Sequence, residues 1–165
     1  MHTLYLARHG EAESPARYSH DRERELTPVG KAKLLRTAAR LRDSELEAPH
    51  IVCSPYVRAR QTAEILAAVW PPSTIEFDAR LRPLNRCDDA IELLRELDGL
   101  HSCVMFVSHN PLISILASAL SAEGRLQIEF EPGAIACIST YRLHPLHAAL
   151  RWFCSPQMLG ARLHD

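Results

Sequence analysis

Arg8, His9 and Gly10 stand in succession directly behind the apolar run Leu4-Tyr5-Leu6-Ala7. A guanidinium presents forked donors that match phosphoryl oxygens, and an imidazole is a nitrogen nucleophile near neutral pH. Gly10 would let the chain turn, since glycine tolerates positive φ. Taken alone, the triplet fits a polar turn as well as a site for a phosphoryl group. Two further stretches, "CSPYVRARQT" at 53–62 and "FVSHNP" at 106–111, carry the same kinds of side chain. Arg58 opens a helical stretch, where a basic residue meets the positive end of the helix dipole. That local cost points to an anionic partner for Arg58, whereas Arg60 points elsewhere on the helix and reads as solvated. His109 precedes Asn110-Pro111, and the free N–H groups of a helix N-terminus suit phosphate. The plainer alternative is a capping neighbour. His2, His20, His50, His101, His144, His147 and His164 have no such company and read as surface or loop histidines.

The elements that must position these groups follow from periodicity. Apolar runs at 2–7, 51–53, 74–77, 103–107, 135–141 and 150–154 have strand length, and helical periods fill 28–43, 57–69, 88–98 and 111–121. Thr27 reads as an N-cap with Pro28 at the first helical position, and Asn110 with Pro111 in the same way. This alternation predicts an α/β fold of three layers, a mostly parallel six-stranded sheet with helices on both faces. The last two strands have only a loop, Leu143 to Ala149, between them, which predicts a hairpin and one antiparallel edge strand. The three polar clusters then fall at the carboxyl ends of three strands, the edge at which open α/β sheets bind ligands.

Composition narrows the function classes. The length of 165 residues predicts a single domain, 1–165, with a substantial core. Nineteen basic against 20 acidic side chains leave a formal charge of −1, so nothing attracts nucleic acid or an acidic membrane globally. No apolar run approaches the ~20 residues of a membrane span, and no signal pattern opens the chain. The expected location is cytoplasmic. Cys53, Cys87, Cys103, Cys137 and Cys154 are widely spaced and odd in number, which indicates free thiols rather than a disulfide framework or a zinc site. No carboxylate cluster has metal-ligand spacing, and no cofactor is expected. Glu11/Glu13 and Glu23/Glu25 read as solvated loop pairs, with a local hydrogen-bonding role open to Glu11.

Together, the R-H-G after the first strand, the S-P-x-x-R-A-x-Q-T block at 54–62 and the S-H of the fourth strand resemble the histidine phosphatase superfamily, the phosphoglycerate mutase-like or RHG family. "ELTPVG" at 25–30 is similar to its entry into the first helix. The F-x-x-x-x-I-A and W-x-x-S-P elements near the C-terminus, with the small size, look most like SixA-type protein phosphohistidine phosphatases. The resemblance implies His9 as a nucleophile forming a phosphohistidine intermediate. It implies Arg8, Arg58 and His109 as the groups that hold the phosphoryl oxygens, His109 adding charge if protonated, and no metal.

One position departs from the pattern. Many superfamily members carry a Glu after the third strand as proton donor, and here Arg80 stands in that region, with Asp78, Asp88 and Asp89 as the nearest carboxylates. General-acid help is typically worth about 10²–10⁴-fold, and an alkoxide leaving group needs it more than an imidazole does. Its absence therefore favours a P–N bond, and a phosphorylated protein such as a histidine phosphotransfer domain is the expected substrate and partner. The short stretch between Phe77 and Asp88 leaves no room for a covering insertion, which fits an open site. Arg17, Arg22, Arg24, Arg80, Arg82 and Arg86 either form a basic rim or are solvated charges balanced by neighbouring acids. The alternatives are a broad-specificity small-molecule phosphomonoesterase and a non-catalytic phosphate-binding module.

Overall fold

The structure, a computed structural model, describes residues 2–43, 46–71, 73–143 and 146–159. Strands and helices alternate along them: β1 (His2–Arg8), α1 (Pro28–Arg42), β2 (His50–Cys53), α2 (Val57–Val69), β3 (Ile75–Phe77), α3 (Cys87–Leu97), β4 (Cys103–Ser108), α4 (Leu112–Ala122), β5 (Ile135–Leu143) and β6 (Leu146–Cys154). The sheet order is β3-β2-β4-β1-β5-β6. β1 to β4 pair in parallel, while β5 runs antiparallel to both of its neighbours. The expected antiparallel strand is therefore β5, one place in from the edge. The edge position goes to β6, because the hairpin folds it onto the free side of β5. The expected 143–149 loop is also shorter, since β6 starts at Leu146 and Leu143 pairs with it.

Local sequence explains most boundaries. Thr27 caps α1, its hydroxyl accepting from Gly30 N at 2.8 Å, and Pro28 occupies the first turn. Buried Ala90, Leu93, Leu94 and Leu97 give α3 one apolar stripe, with Asp88 and Asp89 in its first turn. β4, central in the sheet, is buried at all six positions. α1 and α2 pack on one face around Tyr5, Ile51 and Met105, and α3 and α4 on the other around Leu6, Phe106 and Phe130. Burying a side chain of this size stabilises the fold by about 1.5–3 kcal/mol. Tyr5 lies between Trp70 and Trp152 at centroid distances of 6.0 and 5.8 Å.

Several expectations shift. Asn110 is not the cap of α4. Its Nδ2 donates to the Phe130 carbonyl at 3.1 Å, its Oδ1 accepts from Ser114 Oγ at 3.0 Å, and Pro111 occupies the cap position. Three short 3-10 turns, Pro15–Arg17, Asp21–Glu23 and Ala79–Leu81, lie in stretches read as loop. His50 is packed rather than on the surface: its ring stacks on His101 at 4.0 Å and its Nδ1 bonds to Thr74 Oγ1 at 2.7 Å. His20 and His147 are exposed. His144, His164 and the side chain of His2 lie outside the described residues. All five cysteines are free thiols, and four are buried. No described helix is long and apolar enough to cross a membrane.

Candidate active site

Strand register builds the site. β1 and β4 pair with Arg8 opposite Ser108, so His9 and His109 emerge side by side at the carboxyl edge. The ladder runs one step further, His9 N donating to Ser108 O at 3.0 Å, and Ser54 N continues the β2 side by donating to Val107 O at 3.0 Å. The His9 and His109 ring centroids are 4.9 Å apart. Just before β5, Gly133 N donates to His9 O at 3.0 Å and Ala134 O accepts from Arg8 N at 3.0 Å, which fixes the turn from the other side.

The "SPYVRARQT" stretch acts through several residues. Arg58, 4% exposed, reaches from the first turn of α2, its Nε donating to His9 Nε2 at 3.2 Å. Its terminal nitrogens donate to the carbonyl and carboxylate of Asp21 at 2.6 and 2.8 Å, and its guanidinium lies 5.0 Å from the Tyr56 ring centre. Thr62 Oγ1 accepts from Gly10 N at 3.1 Å and donates to Arg58 O, tying α2 to the R-H-G turn. Gln61 Oε1 accepts from Leu26 N at 2.7 Å. Arg60 lies 5.1 Å from the ring centre of Phe77 rather than standing in solvent alone. Gly10 does not use its freedom of φ; it is needed because a Cβ there would meet Leu34 Cδ1 at 2.4 Å.

His9 is held in one tautomer. Its Nδ1 is 2.7 Å from Gly10 O, so that nitrogen carries the proton and donates, leaving the Nε2 lone pair free to accept from Arg58. Burial lowers its pKa to about 3, and the charges of Arg58, Arg8 and Arg24 add to the shift while the Gly10 bond opposes it. His109, bonded through Nε2 to Ser54 Oγ at 2.8 Å, is pushed to about 2, chiefly by burial. Both rings are neutral at pH 7, so His109 does not by itself carry the charge that a protonated ring would add. Arg8 donates to the Phe130 carbonyl at 2.6 Å, and its Nε is buried with no partner among the described residues.

The acidic candidates divide differently from the expectation. Asp78 caps the Ala79–Leu81 turn and receives Arg80, whose hydrogen bonds hold its carboxyl below the usual range. It is ionised at neutral pH, the wrong state for a proton donor. Asp88 pairs with Arg86 on the surface at 3.0 Å, and Asp89 sits in the first turn of α3. Glu11 is structural: its carboxylate accepts from Thr27 Oγ1 at 3.2 Å and Lys33 Nζ at 3.0 Å. Glu13 pairs with Arg17 at 2.7 Å. The carboxylate bonded into the site is Asp21, shared between Arg24 and Arg58. Burial works to raise its pKa, but hydrogen bonds from the two arginines outweigh this and keep it below the usual range. Asp21, Ser54 and Thr62 were not singled out from the sequence; for Ser54 and Thr62 the motif itself carried a signal. Among the described residues no group of three or more His, Cys, Asp or Glu side chains could hold a metal ion.

Arg8, His9, Arg58 and His109 are thus gathered at one edge of the sheet. A family model, Histidine phosphatase superfamily (branch 1), matches residues 4–85. "Probable phosphoglycerate mutase GpmB" of Escherichia coli is 39% identical over 87 residues, 52% of this chain and 39% of that one. An uncharacterised protein of Picosynechococcus is 48% identical over 65 residues, 39% of each chain. The chain thus spans about two-fifths of the length of these curated relatives. Among solved structures, the protein histidine phosphatase SixA complexed with tungstate superposes with a TM-score of 0.86 at 26% identity, covering 95% of this chain and 99% of that one. A mycobacterial glucosyl-3-phosphoglycerate phosphatase shares the fold, with a TM-score of 0.72 at 18% identity over 93% and 99% of the two chains.

Proposed function

The chain belongs to the histidine phosphatase superfamily, and from that premise we propose that it removes phosphoryl groups from histidine-phosphorylated protein through a covalent intermediate on His9. The observation that carries this reading is the state of the His9 ring. Its proton is held on Nδ1 by Gly10 O and its pKa is near 3, so Nε2 stays unprotonated throughout the neutral range and attacks once Arg58 Nε turns from it to the phosphoryl oxygens. In the first step Nε2 bonds to phosphorus as the P–N bond of the substrate breaks. A substrate ring protonated on its remote nitrogen leaves as neutral imidazole and needs no acid from the enzyme. Water then attacks the phosphorus, releasing inorganic phosphate and restoring His9. Arg8 and Arg58 hold the non-bridging oxygens through both steps, the role a metal plays in other phosphoryl-transfer sites. His109 contacts the same group and gains proton affinity as the anion arrives.

The P–N preference is supported by the ionised state of Asp78 and Asp21, since neither supplies the proton an alkoxide would need. The SixA neighbour, a protein histidine phosphatase that takes tungstate, supports the same substrate class. Five unpaired thiols fit a reducing compartment such as the cytoplasm.

The test compares wild type and His9→Ala on a histidine-phosphorylated protein, p-nitrophenyl phosphate and a sugar phosphate. Loss of protein phosphohistidine about 10²-fold or more faster than ester cleavage is expected, given the worth of a missing acid, and His9→Ala should reduce it to background. Equally fast ester cleavage would instead assign the protein as a phosphomonoesterase. Phosphate binding without any turnover would make it a binding module.

A further inference from the structure

The connection from β3 to α3 passes the catalytic edge as Arg82-Pro83-Leu84-Asn85-Arg86. Leu84 sits at φ 67 and is 85% exposed, the highest exposure of any large hydrophobic side chain among the described residues. Each fact is unfavourable alone. A left-handed backbone crowds the Cβ of any residue but glycine, and an apolar side chain at that exposure recovers nothing by burial. The next most exposed, Leu100, lies at the opposite edge of the sheet, before β4, and has no positive φ.

The loop is held firmly while its tip touches almost nothing. Asn85 Nδ2 donates to Ala79 O at 2.7 Å, and Ser108 Oγ donates to Leu81 O at 2.8 Å. Ser108 is the residue before His109, so the strand that carries His109 also anchors the loop. Around the tip, Arg82 and Arg86 are exposed; Arg82 has no carboxylate partner among the described residues, and Arg86 meets only the solvent-exposed Asp88. Asn85 N donates to Arg82 O at 3.4 Å and closes a turn that sets this backbone, but such a turn favours glycine or asparagine, so a bare leucine retained there beside a reactive site points to a role outside the fold.

We propose that Leu84, flanked by Arg82 and Arg86, is a docking contact for the protein that carries the phosphohistidine. It would meet an apolar patch with acidic surroundings next to the phosphorylated residue. This rests on the phosphatase reading above, and it explains how an open site gains affinity for a protein without enclosing it.

Two variants separate docking from folding. Leu84→Gly and Leu84→Asn both suit a left-handed backbone and remove the apolar tip. Their substrates are a histidine phosphotransfer domain phosphorylated with phosphoramidate and free phosphohistidine. On the protein substrate, kcat/KM should fall about tenfold in both variants, mainly through KM, the scale of one lost interface contact. On free phosphohistidine it should stay within about twofold of wild type, while the Tm of Leu84→Gly should rise by about 2–4 °C. Unchanged turnover of the phosphotransfer domain, or an equal loss on both substrates, overturns the docking role and leaves the phosphatase reading standing. A lowered Tm overturns the strain argument on which it stands. If wild type hydrolyses neither substrate, the phosphatase reading falls and takes this proposal with it.

Discussion

Arg58 and Arg80 lie at the same edge of one sheet, each with an aspartate at 2.8 Å, and they do opposite things with their charge. Arg80 is half-exposed and meets a second carboxylate, Glu96, at 2.7 Å, so two anions surround one cation. Arg58 is buried, and its Asp21 is shared with Arg24. With Arg8 nearby, the pocket holds three guanidiniums against one bonded carboxylate. Pairing with an aspartate therefore does not mark an arginine as structural. The balance of charge does, and it counts for more where water is scarce. A surplus of positive charge around the buried Arg58 leaves the pocket short of an anion, which a phosphoryl group supplies. The same surplus, added to burial, keeps His9 and His109 neutral.

Arg58→Ala should break this contrast with the largest effect. Removing a charge-assisted donor costs about 1.5–3 kcal/mol, so affinity for phosphate or vanadate should drop on the order of 10–100-fold by calorimetric titration. An unchanged constant would take Arg58 out of the site.

A second effect concerns pH. The unfolded chain protonates its histidines near the ordinary value of 6.5, but the folded pocket holds His9 and His109 neutral down to about 3 and 2. Between those limits the unfolded state binds more protons, so stability rises with pH, and the pocket's contribution is lost as pH falls from 6.5 towards 3. The drop in Tm from pH 7 to pH 4.5 should be smaller in His109→Gln than in wild type. Equal drops would mean that His109 is not held neutral.

Arg80→Ala should have the smallest effect. Turnover and phosphate affinity are expected within about twofold of wild type, with a slight fall in Tm, since pairs this exposed contribute little. If phosphate affinity fell as far as in Arg58→Ala, the distinction between the two arginines would collapse.

Much of this was legible in the chain. Thr27 and Pro28 announced α1, helical period over 88–98 announced α3, and three polar clusters announced one edge. Each of those signals is local, because a cap, a stripe or a strand end is written within a few residues. Asp21 was not legible: it opens a short 3-10 turn that no periodicity marks, and its partner Arg58 is 37 residues away. Gly10 was legible only as a possible turn former, because the close approach it meets is Leu34, on another element. Which member of the hairpin takes the edge was left open, because sequence does not say on which side of β5 the next strand will pair.

The sequence by itself determined which side chains with phosphoryl chemistry stand at the ends of which elements, because periodicity and capping are short-range properties of the backbone. Only the tertiary structure decided their protonation, their partners and which arginines keep a surplus of charge. Those depend on burial and on distances of a few ångströms between residues far apart in the chain, and the field at His9 is the sum of all of them.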